Sequence, residues 1–356
     1  MPLTDQQRNA LPAVRAYISQ AMVPSATAES VDERARHPDP AHVPGDVTVR
    51  VEIAPPSTRP HPLLERSGLR TPERVPLYFY ALQNDQSERD VVNTRVIFFM
   101  HGGANITGHP THEPFIHLFS QLLRAVALRA GGTHKCVLVA PSYRLATVPA
   151  NAFPAALQDL VAAYDHVLGK GYRASNIIVA GDSAGGNYGQ PVPAPVDTPT
   201  NLTAALPALV LTHLVLKSDR PPPQGVIVIA PAAIWAPGWR SEYAKAQASA
   251  DVIDVSNTGM LASLYVGDSG VPLTDPLVSG AFIPFDASWP KTLILIGSAD
   301  QLIDASRELE KRLAEVKRPV ELVEYDQRPH AWWALLHIFP EDIQDAAQRI
   351  ARFVLY

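Results

Sequence analysis

The stretch that most constrains this chain is Asn176-Ile177-Ile178-Val179-Ala180 running straight into Gly181-Asp182-Ser183-Ala184-Gly185. A short, β-branched apolar run reads as a buried strand. The G-x-S-x-G that follows reads as a sharp strand-to-helix turn, with glycines flanking the serine because the strained turn leaves no room for side chains there. Such a turn pushes the hydroxyl out at the carboxyl end of a sheet, which makes Ser183 a candidate nucleophile. An ordinary Gly/Ser loop would carry the same pentapeptide. The two readings separate on whether a base and an acid stand at the ends of later strands.

The rest of the chain supplies a sheet for this strand. Val47 to Ile53 alternates apolar and polar, a half-buried strand. Val75 to Leu82 reads as a second, with Pro76 near its start as an edge strand tolerates. Then come Arg95 to Met100, Cys136 to Ala140, Ile177 to Ala180, Val226 to Ile229, Leu293 to Ile296 and Val320 to Tyr325. Most are continuous apolar runs, as expected when helices cover both faces of a parallel sheet. Helical patterns alternate with them at Phe115 to Ala130, Phe153 to Leu168 (Pro154 in its first turn), Leu202 to Leu216, Leu302 to Val316 and Asp342 to Val354. Two strands followed by repeated β-α alternation predict an α/β fold: a mostly parallel sheet with an antiparallel start.

Two regions break the alternation. Residues 1–45 open with Leu11, Val14, Ile18 and Met22 on one helix face and continue as Pro- and charge-rich coil, a leader or a flap over a pocket. Residues 231–285 carry Trp235, Trp239, Tyr243, Met260, Leu264 and Tyr265 without a clear strand. An inserted segment there would make a lid or pocket wall. The expected organisation is therefore a cap segment over 1–45, a core over 46–230 and 286–356, and a cap insertion over 231–285.

With 356 residues, 46% of them hydrophobic, there is enough apolar material for one large core. The 30 Lys and Arg against 35 Asp and Glu give a formal net charge of -5, and no basic block points to nucleic acid. The single cysteine, Cys136, excludes an internal disulfide framework and reads as a buried strand residue. Met1 to Ala21 is polar and lacks the apolar core of a secretory signal, so the expectation is a cytoplasmic protein. Leu202 to Leu216 is too short to span a bilayer. Asn105-Ile106-Thr107 and Asn201-Leu202-Thr203 match glycosylation acceptors, but without export they read as chance matches.

A serine hydroxyl needs a base, and the base an orienting acid; in the strand-turn-serine architecture they follow in the order serine, acid, histidine. Leu293 to Ile296 runs into Gly297-Ser298-Ala299-Asp300, which places Asp300 at a strand end; Asp304, four residues on, falls in the next helix. Val320 to Tyr325 is followed by Asp326-Gln327-Arg328-Pro329-His330, which makes His330 the candidate base. His337 lies in an apolar stretch and reads as a packed helix residue. Acyl transfer also needs donors for an oxyanion. One is the N–H of Ala184, and the others should come from His101-Gly102-Gly103-Ala104, a small-residue loop after Arg95 to Met100. His101 reads as a residue that supports this loop with Gly102, not as the base.

With the HGG loop, Tyr143-Arg144-Leu145-Ala146, Phe153-Pro154-Ala155-Ala156 with Asp159, and Gly181 to Gly186, the chain resembles the hormone-sensitive-lipase-like family of α/β-hydrolases over most of residues 75–356. The resemblance implies an eight-stranded α/β-hydrolase fold with a helical cap and a serine carboxylesterase activity needing no metal or cofactor. It implies Ser183, Asp300 and His330 as a triad, with Gly103, Ala104 and Ala184 as the oxyanion hole. The implied partner is a small-molecule ester. The alternatives are an amide hydrolase, an acyltransferase, or a non-catalytic binding protein on the same fold.

The chain departs from the family pattern in places. Ala104 stands where the third glycine is usual, and a Cβ there costs about 1–2 kcal/mol if φ is positive. Pro-Glu is missing after Tyr143 to Ala146, and Gln301 follows the acid where proline is common. Residues 187–200, with Pro191, Pro193, Pro195 and Pro199, interrupt the helix behind Ser183 and are expected to bulge as an inserted loop.

Overall fold

The computed structural model describes residues 3–21, 25, 27–65, 70–83, 90–131, 135–183, 207–234, 239–253 and 258–356. The apolar runs become eight strands: β1 (Val47–Ala54), β2 (Val75–Leu82), β3 (Arg95–Met100), β4 (Cys136–Pro141), β5 (Ile177–Asp182), β6 (Gly225–Ile229), β7 (Lys291–Gly297) and β8 (Val320–Tyr325). They form one sheet in the order β1-β2-β4-β3-β5-β6-β7-β8. The β1–β2 and β2–β4 pairs are antiparallel and every later pair is parallel. The antiparallel start and parallel body expected from the alternation are both present.

The helices are α1 (Asp5–Ala21), α2 (Val31–Arg34), α3 (Pro62–Glu65), α4 (Glu113–Arg129), α5 (Ala155–Gly169), α6 (Pro207–Leu216), α7 (Glu242–Ala246), α8 (Thr258–Val266), α9 (Ile303–Glu315) and α10 (Pro340–Leu355). Pro154 stands at the N-cap of α5, one residue before the first turn expected for it. The apolar faces of α4 and α10 close one face of the sheet and those of α5, α6 and α9 the other, giving two core layers. This is why β3 to β7 read as continuous apolar runs: both of their faces are covered. The first part of the helix expected from Leu202, and the expected loop over 187–200, lie outside the described residues. Among the described residues no helix is long and apolar enough to cross a membrane.

The sheet corrects the expectation for Pro76. β2 is an interior strand, paired with β1 and β4, not an edge. Proline is tolerated because its missing N–H falls where the β4 ladder runs out. The Pro76 carbonyl accepts from Ser142 N at 2.8 Å, while the Ser142 carbonyl, which a Pro76 N–H would have met, accepts instead from Arg34 Nη1 at 2.8 Å. Arg34 is buried at the end of α2, a single turn closed by a capping box between Ser30 and Glu33. Its guanidinium also reaches Asp159 at 3.3 Å, which Arg144 grips through Nε and Nη2 at 3.1 and 2.9 Å. The N-terminal segment is thus pinned behind β2 by a buried Arg34–Asp159–Arg144 cluster. His337, expected to pack in a helix, is exposed in a turn before α10.

Candidate active site

The site lies at the carboxyl ends of the parallel strands. Ser183 follows β5 directly and holds φ at 45°, a left-handed conformation that strains any residue with a Cβ. Its amide donates to the Ile229 carbonyl of β6 at 2.8 Å, which fixes the turn to the neighbouring strand. Ser183 Oγ lies 2.7 Å from His330 Nε2, and His330 Nδ1 lies 2.8 Å from Asp300 Oδ2. Beside a carboxylate, Nδ1 carries the proton and donates it, which leaves the Nε2 lone pair to accept from the serine hydroxyl. All three side chains are buried. The three residues singled out from the order of strand ends are brought together in one hydrogen-bonded line.

The rival candidates point elsewhere. Asp304 accepts from the Ser241 amide at 2.6 Å and hydroxyl at 3.0 Å, tying α9 to the start of α7. His101 donates from Nδ1 to the Gly102 carbonyl at 2.8 Å and stacks on Tyr143, with ring centroids 4.5 Å apart. Burial pushes its imidazole down to about 3, so it stays neutral and holds the loop.

The loop after β3 is shaped by close approaches. A Cβ on Gly103 (φ 116°) would lie 2.2 Å from the Thr107 carbonyl oxygen, so only glycine fits there. Ala104 holds φ at 63°, the case in which its Cβ carries strain of about 1–2 kcal/mol. Among the described residues neither the Gly103 nor the Ala104 N–H has an acceptor. Ala184 lies outside the described residues. Gly102 donates its N–H to Asp182 Oδ1 at 2.7 Å, and a Cβ on Gly102 would meet Asp182 Oδ2 at 2.4 Å. The residue before Ser183 therefore fastens the glycine loop to β5. Burial pushes the Asp182 carboxyl up to about 7, against the Gly102 N–H and the charge of His330.

Asn105 is buried, and among the described residues neither polar atom of its side chain has a hydrogen-bond partner. Its burial also removes it as a glycosylation acceptor on the folded chain; Asn201 lies outside the described residues.

Comparison with known proteins places this chain in a family. A family model described as alpha/beta hydrolase fold matches residues 97–192 and 204–334, more than half of the chain. The chain belongs to this family. The resemblance carried by the HGG and GDSAGG motifs is thereby borne out. An acetyl-hydrolase of Streptomyces hygroscopicus is 28% identical over 247 residues, 69% of this chain and 71% of that protein. Lipase 2 of Moraxella sp. strain TA144 is 27% identical over 215 residues, 56% of this chain and 46% of the lipase. The crystal structure of an esterase from the bacterial hormone-sensitive lipase family superposes with a TM-score of 0.68 at 21% identity, covering 99% of this chain and 98% of that one, and shows the shared fold.

In this α/β-hydrolase one carboxylate beside Asp300 and His330 carried no sequence signal of its own. Asp251 is fully buried and bonds to the backbone of both His330 and Gln301. It stands in an Ala- and Ser-rich stretch with no periodic pattern. The one sequence signal near it is Gln301 in a proline position. Burial alone would lower the His330 imidazole, but the carboxylates of Asp300, Asp251 and Asp182 outweigh it and hold the ring above its ordinary value of 6.5.

Proposed function

We propose that this chain is a serine hydrolase of carboxylic esters, taking short to medium acyl or aromatic esters. The observation that carries the reading is the unbroken line Ser183 Oγ–His330 Nε2 at 2.7 Å and His330 Nδ1–Asp300 Oδ2 at 2.8 Å. Ser183 Oγ attacks the ester carbonyl carbon while His330 Nε2 takes the hydroxyl proton. Asp300 fixes the ring tautomer and stabilises the imidazolium. The oxyanion is met by the N–H groups of Gly103 and Ala104, with Ala184 as the third donor expected from sequence. The Nε2 proton then passes to the departing alkoxide, leaving an acyl-serine. Water, deprotonated by the same nitrogen, releases the acid and restores the hydroxyl.

Residues 1–45 and 231–285 act as the cap in this reading. Its support is that Arg15 of α1 donates to the carbonyls of Ala248 and Ser249, at 3.1 and 3.0 Å. The names of the acetyl-hydrolase and lipase relatives agree with an ester substrate. A retired scaffold used only for binding would have no need to keep base and acid in register with Ser183. A panel of p-nitrophenyl esters of graded acyl length tests the proposal. Turnover of acetyl to octanoyl esters that is lost in Ser183→Ala is expected. A folded protein that turns over no member of the panel would contradict it.

A further inference from the structure

We propose that Asp251 is a positioning residue of the site: a carboxylate clamp that joins the loop of Asp300 to the loop of His330 and holds negative charge beside the imidazole. The proposal rests on reading Ser183, Asp300 and His330 as the reacting groups.

The β7–β8 ladder ends at Gly297 and Tyr325, before either reacting residue is reached. Two rungs continue it: Ser298 N to the Tyr325 carbonyl at 2.8 Å and Ala299 N to the Arg328 carbonyl at 3.1 Å. Asp251 provides the next. Its Oδ1 accepts from His330 N and its own neighbour Val252 N, both at 2.7 Å, and its Oδ2 accepts from Gln301 N at 2.8 Å. One carboxylate thus ties the residue after the acid to the backbone of the base. The three N–H donors that meet it suit an ionised carboxylate.

Asp251 does not take the place of Asp300. It meets the amide of His330, whereas the ring Nδ1 belongs to Asp300 Oδ2.

The departure at Gln301 gives the clamp its second arm. The proline common at this position in the family has no N–H to donate. Gln301 supplies one, and its side chain reinforces the contact, donating from Nε2 to the Ile253 carbonyl at 2.6 Å and accepting from Arg240 Nη1 at 3.1 Å. On the other side, Arg15 of α1 donates from Nε to the Asp251 carbonyl at 2.9 Å.

The carboxylates acting on the His330 ring are Asp300, Asp251 and Asp182; Arg15 and Arg240 stand behind Asp251 and Gln301. Burial and repulsion from Asp300 push the Asp251 carboxyl up to about 7, while His330 and the N–H groups of Gln301 and His330 favour its ionised form. Ionised Asp251 favours the imidazolium, the species that forms when Ser183 gives up its proton.

The test uses the full chain and reads two quantities. The first is the titration of His330 by NMR of ¹⁵N-labelled histidine, which needs no turnover. Asp251→Asn is expected to lower the His330 pKa by about one unit. The second is ester turnover, in which Asp251→Asn is expected to lower kcat about 10- to 100-fold with KM little changed. A merely structural Asp251 would lower the melting temperature while leaving the titration at its wild-type position, and that outcome overturns the proposal. Should Asp251→Asn fail to fold, Gln301→Pro and Gln301→Ala decide. Both lose the side chain, but only proline loses the N–H, so a kcat loss confined to Gln301→Pro supports the clamp and equal rates overturn it. A wild-type protein without ester turnover would sink the esterase reading alone, because the His330 titration still decides on Asp251.

Discussion

Ser183 is held at φ 45° with its hydroxyl 2.7 Å from His330 Nε2, a costly arrangement that packing alone does not require. In a comparable triad, losing the nucleophile or the base costs roughly 10⁶ in kcat and losing the acid about 10⁴. Ser183→Ala and His330→Ala are therefore expected to fall to the background rate, and Asp300→Asn to keep a trace, each measured on folded protein. His330 works as a base only when neutral, and its surrounding carboxylates raise its pKa above 6.5. Activity should thus be lost as pH falls through that raised value, with the half-maximal pH of kcat above 6.5. A flat profile from pH 5 to 8 with chemistry rate-limiting would contradict the role. Gly102 has no room for a Cβ beside Asp182, so Gly102→Ala must shift the loop that carries the Gly103 and Ala104 amides. Displacing an oxyanion donor costs about 10²–10³ in rate. The expected result is a kcat loss of that order in a folded protein, and wild-type kcat would show that these amides do not meet the oxyanion.

At the scale of elements, the strands were legible because β3 to β7 are covered on both faces, and continuous apolar runs between loop residues have few other readings. The line of Ser183, His330 and Asp300 was legible for a related reason: each of the three stands just past a strand end, in the expected order. What escaped the reading is held by single polar residues that reach across long stretches of chain. Asp251 works through backbone amides 50 and 79 residues away, and no periodicity marks such a residue. Arg34 is similar. Its segment reads as charged coil, yet the guanidinium replaces the N–H that Pro76 lacks and pairs with buried Asp159. The reading of β2 as an edge failed because a proline in an interior strand needs such a substitute, and the substitute came from a distant segment. Removing one member of a buried ionic cluster typically costs about 3–5 kcal/mol. Arg144 remains on Asp159, so Arg34→Met should lose about 3 kcal/mol or less in a urea unfolding series. An unchanged midpoint would show that the N-terminal segment is pinned by something else.

Over the whole molecule, one sheet divides two core layers and presents Ser183, Asp300, His330 and the glycine loop at a single end. Strand ends are rigid where the ladder holds them, and the loops beyond are steadied by Asp182 on one side and Asp251 on the other. At this end of the sheet Ser183 is proposed to act as a nucleophile. Labelling of this chain with a fluorophosphonate probe, followed by peptide mass spectrometry, reads out that nucleophile. Stoichiometric modification at Ser183 is expected, faster as the pH rises through the titration of His330 and lost in His330→Ala. A folded wild-type protein that stays unlabelled, or one labelled at a different serine, would contradict it.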